Sequence, residues 1–206
     1  MNIALHQVGK RFQRHRVFKD VDFTFSAPGK YALLGPNGSG KSTLLRVLAG
    51  MQRPSVGRIE YTDNSGGIIT AAQVYKHISI CAPGQELVEE FTLVEFLKFH
   101  FSFKPVLPGL TVEKIIEIMG LQAASGKPIY DYSSGMKQRV KLAQAIFADT
   151  PVLMLDEPCT NLDENGVQQY RDWMDRFAGD RLVVVASNDP REYYMCRERL
   201  SIEDYQ

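Results

Sequence analysis

The segment that most constrains the fold of this chain is a glycine-rich loop between an apolar stretch and an amphipathic one. The apolar stretch, residues 31–34, is typical of a buried strand, and residues 41–48 have the pattern of a helix closed by Gly50. The loop reads Gly35-Pro36-Asn37-Gly38-Ser39-Gly40-Lys41-Ser42-Thr43 and fits the pattern Gly-x-x-x-x-Gly-Lys-Ser. In this strand–loop–helix context, the pattern predicts that backbone N–H groups of the loop bind the phosphates of a nucleotide.

Two side chains of this loop are suited to specific tasks. Lys41 is expected to contact the β- and γ-phosphates, and the hydroxyl of Ser42 is expected to ligate Mg²⁺. The alternative is a glycine loop with a structural role only. A chance match to the pattern in a chain of this size has odds of about one in a hundred, and the strand and helix on either side lower those odds further.

A second apolar stretch, residues 152–155, ends in the two carboxylates Asp156 and Glu157. Ligands of open α/β sheets bind at the carboxyl ends of the strands, so both side chains are expected near the nucleotide. Asp156 is suited to hold Mg²⁺, directly or through water, and Glu157 is suited to polarise the water that attacks the γ-phosphate. The alternative is that Asp-Glu-Pro merely ends a strand.

Composition excludes several classes of protein. Hydrophobic residues make up 44% and charged residues 23% of the 206 residues, which is ordinary for one globular α/β domain. The 24 basic residues balance the 24 acidic ones, so no nucleic-acid partner is expected. No apolar run reaches the roughly 18 residues of a membrane span, and the first residues lack the pattern of a signal peptide, so we expect a cytoplasmic protein. Three cysteines without close spacing argue against a disulfide framework or a zinc site.

The remaining pattern predicts an α/β core interrupted by a helical insertion. Strands are predicted at residues 17–25, 58–61, 78–81, 152–155 and 182–186. The pattern is helical from Thr92, which begins a capping box with Glu95, to about Ala148, and again at about 164–177. We therefore expect a single domain, with a core at about 1–82 and 151–206 and a helical subdomain at about 83–150.

Three further segments give the chain a family resemblance. Tyr132-Ser133-Ser134-Gly135-Met136 is similar to the signature Leu-Ser-Gly-Gly-Gln, Thr160-Asn161-Leu162-Asp163 is similar to the D-loop, and Phe12 stands where an aromatic residue stacks on adenine. With the phosphate loop and the acidic strand in the same order, the chain resembles the nucleotide-binding subunit of ATP-binding-cassette (ABC) transporters over nearly all of its length. The resemblance implies a P-loop NTPase core with a mainly parallel sheet, N-terminal antiparallel β strands and an inserted helical subdomain.

The resemblance also implies an activity and partners. Members of this family are Mg²⁺-dependent ATPases in which two subunits pack head to tail around two ATP molecules, as a homodimer or a heterodimer. Ser133 and Gly135 of one subunit would then face the ATP held by the other, and Asp163 of the D-loop is a further nucleotide-binding residue. A separately encoded integral membrane permease would bring the protein to the inner face of the cell membrane. The alternative for Ser133 is an ordinary helix N-cap, which is compatible with nucleotide contact.

Besides Ser134 and Met136 in the signature segment, three positions depart from the family pattern. Asn188 stands where the family has a histidine that contacts the γ-phosphate; an amide can donate a hydrogen bond but carries no charge. It is either a weaker γ-phosphate contact or only a turn residue. Gln85 lies two residues later than the family glutamine that contacts Mg²⁺ and the attacking water; it is either returned to the site by a turn at Pro83-Gly84 or exposed to solvent. Phe12 lacks a hydroxyl and is either the adenine-stacking residue or a core residue.

Two rival functions remain open on the sequence alone. The first is a soluble ABC protein without a transport role, and the second is an ATP-gated dimerisation module with weak turnover. The cargo and the direction of transport would be chosen by the membrane partner. A phenylalanine cluster lies where the family docks that partner, and most of it is expected to pack within the helical part: Phe91, Phe96, Phe99, Phe101 and Phe103.

Overall fold

The computed structural model describes residues 1–206 and contains eight strands and five α-helices. The strands are β1 (Asn2–Phe12), β2 (His15–Ser26), β3 (Lys30–Leu34), β4 (Val56–Thr62), β5 (Ile78–Cys81), β6 (Val152–Asp156), β7 (Leu182–Ala186) and β8 (Glu198–Ser201). The helices are α1 (Lys41–Leu48), α2 (Leu93–Phe103), α3 (Val112–Met119), α4 (Ser134–Ile146) and α5 (Glu164–Phe177).

A five-stranded parallel sheet of order β5-β6-β7-β3-β8 forms the middle of the molecule. Strands β6 and β7 are buried at every residue, as expected for apolar runs covered on both faces. The predicted mainly parallel sheet is confirmed, and the predicted strands in it are correct to within one residue. The sequence pattern did not identify β8, whose residues Glu198 and Arg199 are exposed because the strand is short and lies at the sheet edge.

A separate antiparallel sheet of order β2-β1-β4 confirms the expected N-terminal antiparallel strands. Phe12 pairs with His15 at the end of the β1–β2 hairpin, and the register shifts three times between Leu5 and Arg11. These bulges break the alternation of apolar and polar residues, so no strand bounds could be assigned to β1 from its sequence.

The two faces of the parallel sheet carry two different cores. Successive residues of β6 alternate between them: Leu153 and Leu155 belong to a core shared with helices α2 to α5, whereas Val152 and Met154 belong to a core shared with α1 and the antiparallel sheet. The protein therefore has three layers, with the parallel sheet between the helices and the antiparallel strands.

The helical segment between β5 and β6 packs against one face of the sheet. The capping box at its start is confirmed, because Thr92 accepts a hydrogen bond from the N–H of Glu95 while the Glu95 carboxylate accepts one from the N–H of Thr92. The apolar faces of α3 and α4 are buried, as their helical spacing predicts. No helix of the protein is long and apolar enough to cross a membrane.

Arg181 fixes the end of helix α4 to the sheet without an acidic partner in hydrogen-bond contact. Its buried guanidinium donates to the Ile146 carbonyl at 2.8 Å and to the hydroxyls of Ser79 and Thr150 at 2.8 and 3.0 Å. Burial lowers its pKa to about 10, so the group stays charged at neutral pH. A cation at a helix C-terminus is favourable for the helix dipole, and this contact fixes the position of α4 relative to β5.

His100 makes the stability of the helical segment depend on pH. Its Nε2 lies 3.1 Å from the Gln144 carbonyl, and burial, with a smaller effect of the Lys104 charge, lowers its pKa to about 4. The unfolded chain binds a proton below its ordinary pKa of 6.5, whereas the folded protein does so only below about 4. The free energy of unfolding should therefore fall, by up to about 3 kcal/mol, as the pH drops from 6.5 to 4.

Chemical denaturation of the wild type and of His100→Gln at pH 7 and pH 4.5 measures this effect. The variant should lose less stability than the wild type over this interval. Equal losses would show that His100 does not contribute to the pH dependence.

Candidate nucleotide-binding site

The phosphate loop leaves the carboxyl end of β3 and folds around the ammonium group of Lys41. Nζ of Lys41 donates to the carbonyls of Gly35 and Pro36 at 2.6 and 3.2 Å, and the residue is 5% exposed. Gly40 has a φ of 109°, and a Cβ there would lie 2.4 Å from the Val17 side chain. Only glycine fits this position. The loop thus holds a cation and the start of helix α1 at one place, which is the arrangement that binds phosphates.

Ser42 connects the phosphate loop to the acidic strand. Its hydroxyl donates to Oδ1 of Asp156 at 3.0 Å, and Asp156 is 2% exposed. Burial raises the pKa of Asp156, and the hydrogen bond from Ser42 opposes that rise. A hydroxyl and a carboxylate are oxygen ligands of the kind that Mg²⁺ prefers, and a divalent cation would compensate the buried charge of Asp156. The residues present therefore fit a magnesium ion.

Glu157 follows in a conformation that is uncommon for a residue with a side chain. Its φ is 45°, in the left-handed region, and its N–H donates to the Ala186 carbonyl at 2.9 Å. The residue is half-buried and lines the same cavity as Lys41 and Ser42. Such a conformation costs on the order of 1 kcal/mol and persists where the surrounding structure holds it.

A cavity of about 310 Å³ lies between the β1–β2 hairpin and the phosphate loop. Its lining residues are Phe12, His15, Val17, Asn37, Gly38, Gly40, Lys41, Ser42, Thr43 and Glu157. Phe12 is 46% exposed, so the alternative of a core phenylalanine is wrong. A larger cleft of about 860 Å³ around Lys30 and Arg197 lies at the opposite ends of the strands. We assign the nucleotide to the smaller cavity because it contains the phosphate loop.

Two residues of the cavity, His15 and Val17, were not predicted. His15 is brought to the cavity because it pairs with Phe12 across the hairpin. Val17 is brought there by its close approach to Gly40. Predicting His15 or Val17 from the sequence would have required the residue pairing of the β1–β2 hairpin, and the bulges in β1 obscure that pairing.

Asn188 lies at the carboxyl end of β7 and reaches the phosphate loop. Its Nδ2 donates to Oδ1 of Asn37 at 3.4 Å, and Asn188 is exposed. Its side chain is therefore close to the loop that would hold the phosphates. Asn188 also precedes a turn at Asp189, whose N–H donates to the Ser187 hydroxyl at 2.9 Å.

Gln85 follows the predicted turn, but neither alternative describes it completely. Its N–H donates to the Ala82 carbonyl at 3.0 Å, so Pro83 and Gly84 do form a turn. Its side chain is half-buried with Oε1 out of contact with any hydrogen-bond donor, and it does not line the nucleotide cavity. It is therefore neither fully exposed nor in contact with the phosphate loop.

The signature segment caps helix α4, outside the nucleotide cavity of its own chain. Ser133 is the N-cap, and its Oγ accepts a hydrogen bond from the N–H of Met136 at 3.3 Å, so the predicted capping role is present. Ser134 has ordinary helical geometry and tolerates the place of a glycine without strain. A Cβ at Gly135 would lie 3.1 Å from the Asn161 carbonyl, so the signature segment and the 160–163 loop are in close contact. Asp163 caps helix α5 through the N–H of Gly166 at 2.8 Å.

The peptide group between Pro158 and Cys159 is held on both sides by buried side chains that were not predicted. Nε2 of Gln138 donates to the Pro158 carbonyl at 2.7 Å, and the N–H of Cys159 donates to Oε1 of Glu192 at 2.7 Å. Both Gln138 and Glu192 are 5% exposed. Burial raises the pKa of the Glu192 carboxyl, and hydrogen bonds from Ser187 and from Cys159 oppose that rise.

The site geometry thus defines a phosphate-loop nucleotide-binding protein. Comparison with known proteins gives the family: the profile described as ABC transporter matches residues 18–160. The chain therefore belongs to the ABC transporter ATP-binding family.

Three relatives show the range of proteins that this chain resembles. The uncharacterized ABC transporter ATP-binding protein YhcH of Bacillus subtilis is 31% identical over 97% of this chain and 66% of its own length. The sulfate/thiosulfate import ATP-binding protein CysA of Thermosynechococcus vestitus is 31% identical over 93% of this chain and 58% of its own length. The Nod factor export ATP-binding protein I of Rhizobium johnstonii is 35% identical over 78% of this chain and 52% of its own length. The chain thus spans about half to two thirds of these relatives.

Solved structures support the fold. A putative ABC transporter ATP-binding protein from Pyrococcus furiosus has a TM-score of 0.82 at 19% identity, with 100% of each chain covered. The cassette MJ0796, in a dimeric post-hydrolysis state bound to ADP and Pi, has a TM-score of 0.81 at 19% identity, with 97% of this chain and 93% of that chain covered. At these identities, the likeness shows the cassette fold.

Replacing Lys41 by alanine should weaken ATP binding by about 10- to 100-fold, because a charge-assisted hydrogen bond to phosphate contributes about 1.5–3 kcal/mol. Lys30→Ala, at the other end of β3, is the control and should bind ATP as the wild type does. Calorimetric titration with ATP measures both affinities. Equal affinities of Lys41→Ala and Lys30→Ala would contradict the assignment of the loop.

Proposed function

We propose that this chain is the ATP-binding and ATP-hydrolysing subunit of an ABC transporter. The observation that supports it most directly is the contact between Ser42 and Asp156 at 3.0 Å, with Glu157 next to it in the same cavity. Residues 1–206 would form one cassette, with a core at about 1–82 and 151–206 and a helical subdomain at about 83–150.

The binding step follows from the charge and shape of the cavity. The exposed Phe12 ring would stack on adenine, the phosphates would lie against the loop, and the Lys41 ammonium would neutralise part of their charge. Gly35, Pro36, Asn37, Gly38, Ser39, Gly40 and Thr43 complete the loop around them. Ser42 and Asp156 would hold Mg²⁺, which supplies charge neutralisation of the phosphates when bound. Gln85 would join them only after a movement of the turn at Pro83-Gly84.

The hydrolytic step is assigned to Glu157 and Asn188. Glu157 would accept a proton from the attacking water, and Asn188 would donate a hydrogen bond to the γ-phosphate. Both lie near the phosphate loop, Glu157 in the cavity lining and Asn188 through Asn37. Because an amide stabilises developing negative charge less than an imidazolium does, we expect slow turnover.

The site would be completed by a second cassette, identical or different. Ser133 and Gly135 lie outside the cavity of their own chain, at the start of a helix whose N–H groups attract anions. Asp163 lies in the neighbouring loop, which touches Gly135 through Asn161. Two chains packed head to tail would bring these groups of one to the ATP of the other.

The exposed aromatic residues of α2 are the proposed contact with a separately encoded permease. Phe99 and Phe103 are 48% and 71% exposed with ring centroids 5.1 Å apart, whereas Phe96 is buried. Exposed apolar side chains grouped in this way mark protein contacts. Docking there would place the protein at the cytoplasmic face of the membrane.

An ATP-gated dimerisation module with weak turnover is the second candidate. The uncharged Asn188 beside the phosphate loop favours it. The rate of phosphate release with and without the membrane partner separates the two functions.

Changing Glu157 to glutamine should lower ATP turnover at least about 100-fold, because the amide cannot accept the proton of the attacking water. ATP binding should persist, so the variant should accumulate as an ATP-bound dimer. Phosphate release and the solution mass with ATP measure both effects. An unchanged turnover rate would contradict the role of Glu157.

Changing Asn188 to histidine should maintain or raise turnover, because the imidazole can donate to the γ-phosphate and carry charge. Asn188→Ala is the comparison and should be slower than the wild type. Steady-state phosphate release measures all three. Complete loss of activity in Asn188→His would show that the amide has a different role.

A further inference from the structure

The Pro158–Cys159 peptide group lies one residue beyond the Glu157–Pro158 bond and is held from two different elements. Gln138 comes from the helix that the signature segment begins, and it donates to the carbonyl of this peptide group at 2.7 Å. Glu192 comes from the segment after Asn188, and it accepts from the N–H of the same peptide group at 2.7 Å. One planar unit is thus bound at both its polar atoms by side chains that are 5% exposed.

The peptide group needs such support because of the conformation before it. Glu157 has a φ of 45°, which its side chain disfavours, and the chain turns sharply between the end of β6 and the 160–163 loop. The N–H of Glu157 is fixed to the Ala186 carbonyl. The peptide group that follows Glu157 is joined to the Pro158–Cys159 group through the φ of Pro158, which the proline ring restricts to about −65°. A rigid Pro158–Cys159 unit therefore limits where the Glu157 carboxylate can point.

Neither side chain contacts the nucleotide cavity, so each would act through the backbone. We propose that Gln138 and Glu192 are positioning residues that fix the Glu157 carboxylate for hydrolysis and transmit to it the position of the signature helix and of the Asn188 segment. The inference rests on the proposed role of Glu157 as the base.

The Pro158–Cys159 peptide group connects the signature helix α4 and the segment after Asn188 to Glu157. A shift of α4 on contact with a second cassette would move Gln138 and, with it, the Pro158 carbonyl. A shift of the Asn188 segment would move Glu192, whose carboxyl has its pKa raised by burial and lowered by the nearby Ser187 hydroxyl beside Asn188. Tyr170 adds a fixed point, since its hydroxyl donates to the Glu192 carbonyl at 2.6 Å. Both movements would converge on the same peptide group.

Three variants test the proposal by phosphate release and ATP titration. Gln138→Met keeps the length of the side chain but removes its donor, and Glu192→Ala removes the acceptor. Each should lower kcat about 10- to 100-fold with ATP affinity within about 3-fold of the wild type, because displacement of a reacting group by about 1 Å has effects of that size. Glu192→Gln keeps an oxygen that can accept from Cys159, so its kcat should recover most of that loss.

The chain offers a matched control in the same helix. Gln144 is also buried, at 3% exposed, and its Nε2 contacts no hydrogen-bond acceptor. Gln144→Met should therefore leave kcat unchanged. A loss of kcat in Gln144→Met equal to that in Gln138→Met would show a general effect of the substitution on α4 and would overturn the proposal.

Combining Gln138→Met with Glu157→Gln tests whether Gln138 acts through Glu157 or independently of it. If Gln138 acts through Glu157, adding Gln138→Met to Glu157→Gln should cause no further loss of turnover. If Gln138→Met lowers turnover as much in the Glu157→Gln background as in the wild type, the proposal is overturned. It is also overturned if the single variants keep the kcat of the wild type, or if they lose ATP affinity by the same factor as turnover. If Glu157→Gln itself keeps full turnover, the role of Glu157 fails and the proposal fails with it.

Discussion

The side-by-side pairing of β6, β7 and β3 is the constraint on which the whole site depends. Parallel pairing brings the carboxyl ends of these strands to one edge of the sheet. There, Ala186 of β7 pairs with Asp156 of β6 on one side and with Leu33 of β3 on the other. The phosphate loop follows β3, the acidic pair lies at the end of β6, and Asn188 follows β7. Residues more than 100 positions apart, such as Ser42 and Asp156, therefore reach hydrogen-bond distance without any long loop.

The nucleotide cavity brings together groups whose burial or backbone conformation costs free energy. Asp156 is a buried carboxylate with a raised pKa, Lys41 is a buried cation, and Glu157 has a left-handed backbone. Buried charges cost free energy unless they are paired with opposite charges, and a nucleotide with its cation would pair with Lys41 and Asp156. The structure is therefore suited to gain stability on binding, and the free energy of binding is available to order the loops around the site.

The sequence predicted those parts of the protein whose signals are local. Helix α1 begins and ends at the predicted residues because the glycine loop and Gly50 define both ends, and β6 is recognisable because it is apolar throughout. Local signals fail where the register of distant strands decides the outcome. His15 reaches the cavity only through the β1–β2 hairpin, and bulges conceal that hairpin's pattern. Gln138 and Glu192 bind one peptide group from two separate segments of the chain, and neither residue type nor spacing indicates this in the sequence.

Mixing two inactive variants tests whether the signature segment of one chain completes the ATP site of another. Lys41→Ala disables the phosphate loop, and Ser133→Asp keeps the helix cap but repels a triphosphate. In a mixed dimer, one of the two sites would contain both changes and the other neither. We expect each variant alone to be inactive and their mixture to regain phosphate release. A mixture as inactive as its components would contradict a site shared between two chains.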